Sequence, residues 1–194
     1  SEALFLIALC LLALAPCGEG DCLWIADTGD NYRERESAVL YRLPEPTPDP
    51  AVDAVATATA YPVRFPGGPT DVEALFVLDD GGVFLVSKGG HSPPALFRYP
   101  PPLRPDSLVT LEELQRLDPS PRALPRQITG ASASEDGTVV ALRTYETLSF
   151  MGFDGRRLTP LEDGDVNLRT LREGQGEGVA LGRDGLVVLT SEAG

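Results

Sequence analysis

Short apolar or β-branched runs alternate with Gly- and Asp-containing turns along most of the chain, a pattern with the period of strands and not of helices. Four turn signals anchor it: Gly18-Glu19-Gly20-Asp21, Asp79-Asp80-Gly81-Gly82, Glu135-Asp136-Gly137 and Arg183-Asp184-Gly185. A small or apolar segment precedes each turn, at Leu12–Ala15, Glu73–Val77, Gly130–Ala133 and Glu177–Leu181. A β-rich segment follows each, at Cys22–Ala26, Val83–Ser87, Val139–Leu142 and Leu186–Thr190. A third strand recurs as Val39–Pro44, Ala95–Pro100 and, more loosely, Thr147–Met151. The fourth is less regular. Ala54–Val63 fits it in the first unit and Leu108–Leu114 in the second, although 111–117 also reads as one or two helical turns. The Pro-rich stretches 44–50 and 93–105 read as connections, because the repeat continues across them.

The turns recur at roughly 50 to 60 residues, the size of a four-stranded propeller blade. The pattern predicts an all-β fold: one β-propeller domain over residues 1–194, built of four-stranded antiparallel blades, about four of them present and some incomplete. The small inner strands suit the crowded centre of such a ring. Four partial blades do not comfortably close, so the sequence reads as a fragment of a ring of about six, or as one that closes by association.

Composition adds a compartment and removes a partner. Lys and Arg number 16 against 29 Asp and Glu, a net charge of −13, which argues against nucleic acid because no basic stripe offsets phosphate repulsion. Residues 1–15 carry an apolar run, Ala3–Ala15, too short for a transmembrane helix. It reads either as the core of an export leader or as a buried strand. Cys17 and Cys22 flank a tight turn, so a disulfide across the hairpin end is geometrically reasonable and implies an oxidising location, extracellular or periplasmic. Cys10 is left over, and the cysteines and the single histidine lack zinc-ligand spacing.

Topology points to one end of the molecule for chemistry. In an antiparallel pair the loop entering the first strand and the loop leaving the second lie together. The entering loops bring Asp71, Glu73, Gln127, Thr129, Glu173, Gln175 and Glu177; the leaving loops bring Asp27, Asp30, Asn31, Lys88, His91, Arg143, Tyr145 and Glu192. Carboxylates round such a rim suit calcium, with Asp27, Asp30, Asn31, Glu73 and Glu177 as candidate ligands. Asp27-Thr28-Gly29-Asp30-Asn31 reads either as the start of a calcium loop or as Asx-turns leaving a strand. Glu73 and Glu177 share one repeat position and either bind metal or accept backbone amides of a neighbouring blade. Arg143 and Tyr145 either bind an anionic group or, for Arg143, pair with Glu177 or Glu73. His91, in a Gly-rich loop, is an exposed turn residue or a general base.

The segments Leu23–Asn31, Leu40–Pro46, Asp71–Leu75, Arg143-Thr144-Tyr145 and Gly174–Gly178 resemble a family of bacterial, mostly uncharacterised, exported β-propellers. More distantly they are similar to NHL-type, gluconolactonase-like and phytase-like propellers. The resemblance covers about residues 12–194 and departs at Cys10-Leu11-Leu12, where an acidic entry like Asp71-Val72-Glu73 is expected. It implies no particular activity. Two functions remain open. One is an extracytoplasmic propeller whose acidic rim, with Asp71, Glu73, Arg143, Tyr145, Gln175 and Glu177, binds a small molecule or a protein. The other is a metal-dependent hydrolase of the lactonase or phytase type, in which a rim-bound ion activates water.

Overall fold

The computed structural model describes residues 11–47, 56–90, 92–117 and 127–192. They form an all-β structure of four sheets that follow one another along the chain. The first holds β1 (Leu12–Cys17), β2 (Gly20–Asp27), β3 (Ala38–Pro44) and β4 (Thr59–Arg64), joined at its edge by the short β8 (Val109–Thr110). The second runs β5 (Val72–Val77), β6 (Val83–Ser87), β7 (Ala95–Arg98) and β9 (Glu112–Arg116). The third runs β10 (Ile128–Ala133), β11 (Val139–Thr144), β12 (Thr147–Phe153) and β13 (Leu158–Asn167). The fourth is the pair β14 (Gln175–Leu181) and β15 (Val187–Glu192). Every pairing within these sheets is antiparallel except that of β4 with β8.

Each of the four turn signals closes the first hairpin of a sheet, with Gly18, Gly81, Gly137 and Gly185 at positive φ. Leu108–Leu114 departs from expectation. It forms no helical turn and is shared between two sheets, β8 pairing in parallel with β4 while β9 closes the second sheet. Leu111 at the crossover is buried in the core between those sheets, which anchors the chain as it changes partner. Within 93–105, β7 falls where the third strand of the second unit is expected, at Ala95–Pro100. Residues 12–15 of the apolar run belong to β1; residues 1–10, with Cys10, lie outside the described residues.

The sheets pack face to face in chain order. Trp24, Leu40, Tyr61 and Val63 of the first sheet meet Leu75, Val83, Leu85 and Phe97 of the second in one buried cluster. On the other face of the second sheet, Phe76, Phe84 and Leu96 meet Val140, Leu142, Phe153 and Leu158 of the third, with the rings of Phe76, Phe84 and Phe153 in mutual contact. A smaller cluster joins Ala141 and Leu148 of the third sheet to Val179, Leu181, Val187 and Leu189 of the fourth. The second sheet is covered on both faces, which is why β5 and β6 read as continuous apolar runs and not as alternating ones.

The first strands of neighbouring sheets lie side by side, β1 against β5, β5 against β10, and β10 against β14. Small residues permit this approach: a Cβ at Gly130 of β10 would stand 2.7 Å from the carbonyl oxygen of Glu177 in β14. Hydrogen bonds repeat across the joints. The Val72 amide donates to the Thr28 carbonyl, and the Ile128 amide to the Lys88 carbonyl. The buried hydroxyls of Thr28 and Thr129 donate to the carbonyls of Val72 and Gly176 at 3.0 and 2.9 Å.

Candidate functional site

Three of the first strands carry a β-bulge at the same repeat position. The pairing register slips between Val72 and Ala74, between Ile128 and Gly130, and between Gly176 and Gly178. The extra residues are Glu73, Thr129 and Glu177. The bulge explains why Val72 and Ala74, two positions apart, face opposite clusters instead of the same one. It also leaves the inserted residue unpaired in the ladder, near the end from which the second strands exit.

There the structure gathers Glu73, Lys88, Asp71, Asn31, Tyr145 and Glu177. The Lys88 ammonium lies 3.1 Å from Asn31 Oδ1, 3.5 Å from Glu73 Oε1 and 3.8 Å from Asp71 Oδ2. Asp71 uses its other oxygen to accept the Asp30 amide at 2.8 Å. Side-chain exposure is 14% for Lys88, 14% for Asp71 and 19% for Glu73, so the charges are partly desolvated. Burial pushes the Glu73 carboxyl up to about 7; Lys88 opposes the shift, while Asp71 and Glu177 reinforce it. Burial also raises the Tyr145 phenol against the pull of Lys88, with Glu177 and Glu73 adding to the rise. Burial works against the Lys88 ammonium, but Glu73, Tyr145 and Asp71 outweigh it and raise its pKa. A small cleft of about 60 Å³ opens beside the cluster, lined by Asn31, Asp71, Lys88, Gly90, Ser92 and Gln127 among others.

Other expected site residues have different employment. Asp27 forms a two-pronged ion pair with Arg35, at 2.7 and 3.1 Å. Asp30 is buried and accepts the amides of Glu34 and Arg35, both at 3.0 Å, so the Asx-turn alternative describes it. Those carboxylates are committed, and among the described residues no group of three or more His, Cys, Asp or Glu side chains is arranged to hold a metal ion. Gln175 is exposed at the start of β14. His91 lies outside the described residues.

Arg143 pairs with neither Glu73 nor Glu177. Its fully buried guanidinium runs from β11 into the fourth sheet, where it ion-pairs with Glu173 and donates to the carbonyls of Gly178 at 2.8 Å and Thr190 at 3.0 Å. The close packing here requires glycine at two positions of Gly174-Gln175-Gly176-Glu177-Gly178. A Cβ at Gly176 would stand 2.3 Å from an Arg143 terminal nitrogen, and one at Gly178 would stand 2.4 Å from Thr190 Oγ1. Gly176 thus leaves room for the buried arginine.

Cys17 and Cys22 form a disulfide, with Cα atoms 5.6 Å apart across the first hairpin. Among the described residues no helix is long and apolar enough to cross a membrane. No protein-family model matches the chain, and no curated protein matches it.

Proposed function

We propose that the four sheets are successive blades of a β-propeller and that the chain is a ligand-binding protein whose ligand seats at the end where Glu73, Lys88, Tyr145 and Glu177 converge. The fold reading rests on antiparallel sheets stacked in chain order with their first strands adjacent and on joints that repeat from one sheet to the next. At the opposite end, residues of the first hairpins, Ala15, Val77, Ser134 and Leu181 among them, surround one cavity of about 220 Å³. Such an arrangement is what blades about a common axis produce. The disulfide is consistent with an extracellular or periplasmic location, and with the exported bacterial propellers that the sequence resembles.

One observation carries the binding function: ionisable groups from the second, third and fourth sheets meet at a position that ladder formation does not require, two of them on bulges. Groups with displaced pKa values that converge beside a cleft mark binding and catalytic sites. The cluster offers both donors and acceptors, so its ligand is a small polar molecule. This reading is preferred to the metal-dependent hydrolase alternative because two of that alternative's candidate ligands, Asp27 and Asp30, are engaged by Arg35 and by backbone amides.

A thermal-shift screen of small polar compounds tests the proposal, run on the wild type, Tyr145→Phe and Glu177→Gln. A compound that stabilises the wild type and loses its effect in both variants supports it. Compounds unaffected by either variant, but lost on Asp79→Ala at the opposite cavity, place the binding site at the wrong end and refute it.

A further inference from the structure

We propose, building on the ligand-binding reading, that the cleft beside the cluster seats a carboxylate group of the ligand and that Arg33, from the loop between β2 and β3, holds it. Most polar groups around the cleft are already engaged. The Thr70 hydroxyl donates to the Gly68 carbonyl at 2.8 Å, and Ser87 Oγ accepts the Ala95 amide at 2.8 Å. Lys88 is shared among Asn31, Glu73 and Asp71, and Asp71 also accepts the Asp30 amide. Donors are what remain. Among the described residues the Arg33 guanidinium makes a single long hydrogen bond, to Ser92 Oγ at 3.4 Å, and no ion pair. The Gln127 side-chain amide has no partner among those residues and lies over Gly90, where a Cβ would stand 3.3 Å from its Nε2. A guanidinium carries its N–H donors in a planar fork, and amide and hydroxyl groups add more, whereas a carboxylate only accepts.

Arg33 is also held in place for this role. Its backbone lies in the left-handed region, at φ 55°, which residues with a Cβ adopt at a cost and keep where the surroundings enforce it. The Arg33 amide donates to the Asp30 carbonyl at 2.9 Å, and the Asp30 carboxylate accepts the next two amides, those of Glu34 and Arg35. Asp27 claims the Arg35 guanidinium, which leaves Arg33 as the arginine of this loop without a carboxylate. Asp30 and Asn31 tie the loop to the second sheet, so Arg33 lines the cleft from a fixed base. A cleft of about 60 Å³ admits a small planar group. A carboxylate suits it better than a phosphate, because Asp71 also lines the cleft and repels a dianion more strongly than a monoanion.

The experiment is calorimetric titration, with thermal unfolding as a fold control, at fixed pH and ionic strength. The probes are lactate and glycerate, each beside its uncharged amide, and inorganic phosphate. The wild type should bind the acids in preference to the amides and to phosphate. Glycine suits the left-handed backbone, so Arg33→Gly should melt close to the wild type when no ligand is present. It should nevertheless weaken acid binding by about 10- to 100-fold, the loss of a charged hydrogen-bonding partner. Arg33→Lys keeps the charge without the fork and should fall between the two. Gln127→Ala should weaken acid binding as well. Tyr145→Phe and Glu177→Gln are titrated alongside. If the amides bind as tightly as the acids, and lose affinity in Tyr145→Phe and Glu177→Gln but not in Arg33→Gly, the carboxylate assignment is overturned while the ligand-binding site stands. A preference for phosphate, acid binding that Arg33→Gly leaves unchanged, or no binding of either acid also overturns it.

Discussion

Replacing Gly176 by alanine should destabilise the protein, and only while Arg143 is present. The new Cβ would lie 2.3 Å from an Arg143 terminal nitrogen and 2.9 Å from its central carbon. The guanidinium cannot step aside, being fully buried and held by Glu173 and the carbonyls of Gly178 and Thr190. Overpacking of this kind costs about 1–3 kcal/mol. Replacing a strand glycine recovers roughly 0.5–1 kcal/mol of chain entropy, so the net loss should be about 1–2 kcal/mol. Arg143→Ala alone should cost about 1–3 kcal/mol, because a partly buried carboxylate and two carbonyls lose their donor. In the double variant the clash is gone, and Gly176→Ala should be neutral or slightly stabilising. Urea denaturation of the wild type, both single variants and the double variant gives the coupling directly, provided that m stays constant. An equal cost of Gly176→Ala with and without Arg143 would refute the packing account of the motif.

Three further outcomes follow from the same geometry. Glu73 binds its proton more tightly folded than unfolded, so stability should fall as pH rises from about 4.5 to 7; Glu73→Gln should flatten that slope in pH-dependent urea melts. Asp30→Ala strands the amides of Glu34 and Arg35 and should cost about 1–3 kcal/mol, with faster hydrogen exchange at both amides. Reducing the Cys17–Cys22 bond should lower stability by about 2 kcal/mol, the entropy of so short a loop, with denaturation compared in the presence and absence of reductant.

Much of the architecture is legible in the sequence because turns and apolar runs are local. Gly81-Gly82 and Glu135-Asp136-Gly137 announce hairpins that form where the pattern puts them, and the hairpins in turn name the end at which polar residues gather. What the pattern conceals is set between sheets. The bulge at Glu73 is invisible in spacing, since Asp71-Val72-Glu73-Ala74 looks like ordinary strand entry until Val72 and Ala74 are found facing opposite cores. Lys88 beside Gly89-Gly90 looks like a solvated loop lysine, and only the first sheet's Asn31 and the second sheet's carboxylates show otherwise. Arg143 finds Glu173 because its chain crosses into the fourth sheet, a reach that no repeat alignment encodes. Likewise Leu108–Leu114 has the length of one strand, but a sheet edge on each side divides it.

The central claim is that side chains far apart in sequence, from separate sheets, share one partly buried site. The most direct measurement is the pH titration of the Glu73 side-chain carboxyl by carbon-detected NMR in the wild type, Glu177→Gln and Lys88→Met. The account predicts a wild-type midpoint of about 7, displaced downward when Glu177 is neutralised and upward when the ammonium is removed. A midpoint in the ordinary glutamate range of about 4.3, unmoved by either change, would contradict it.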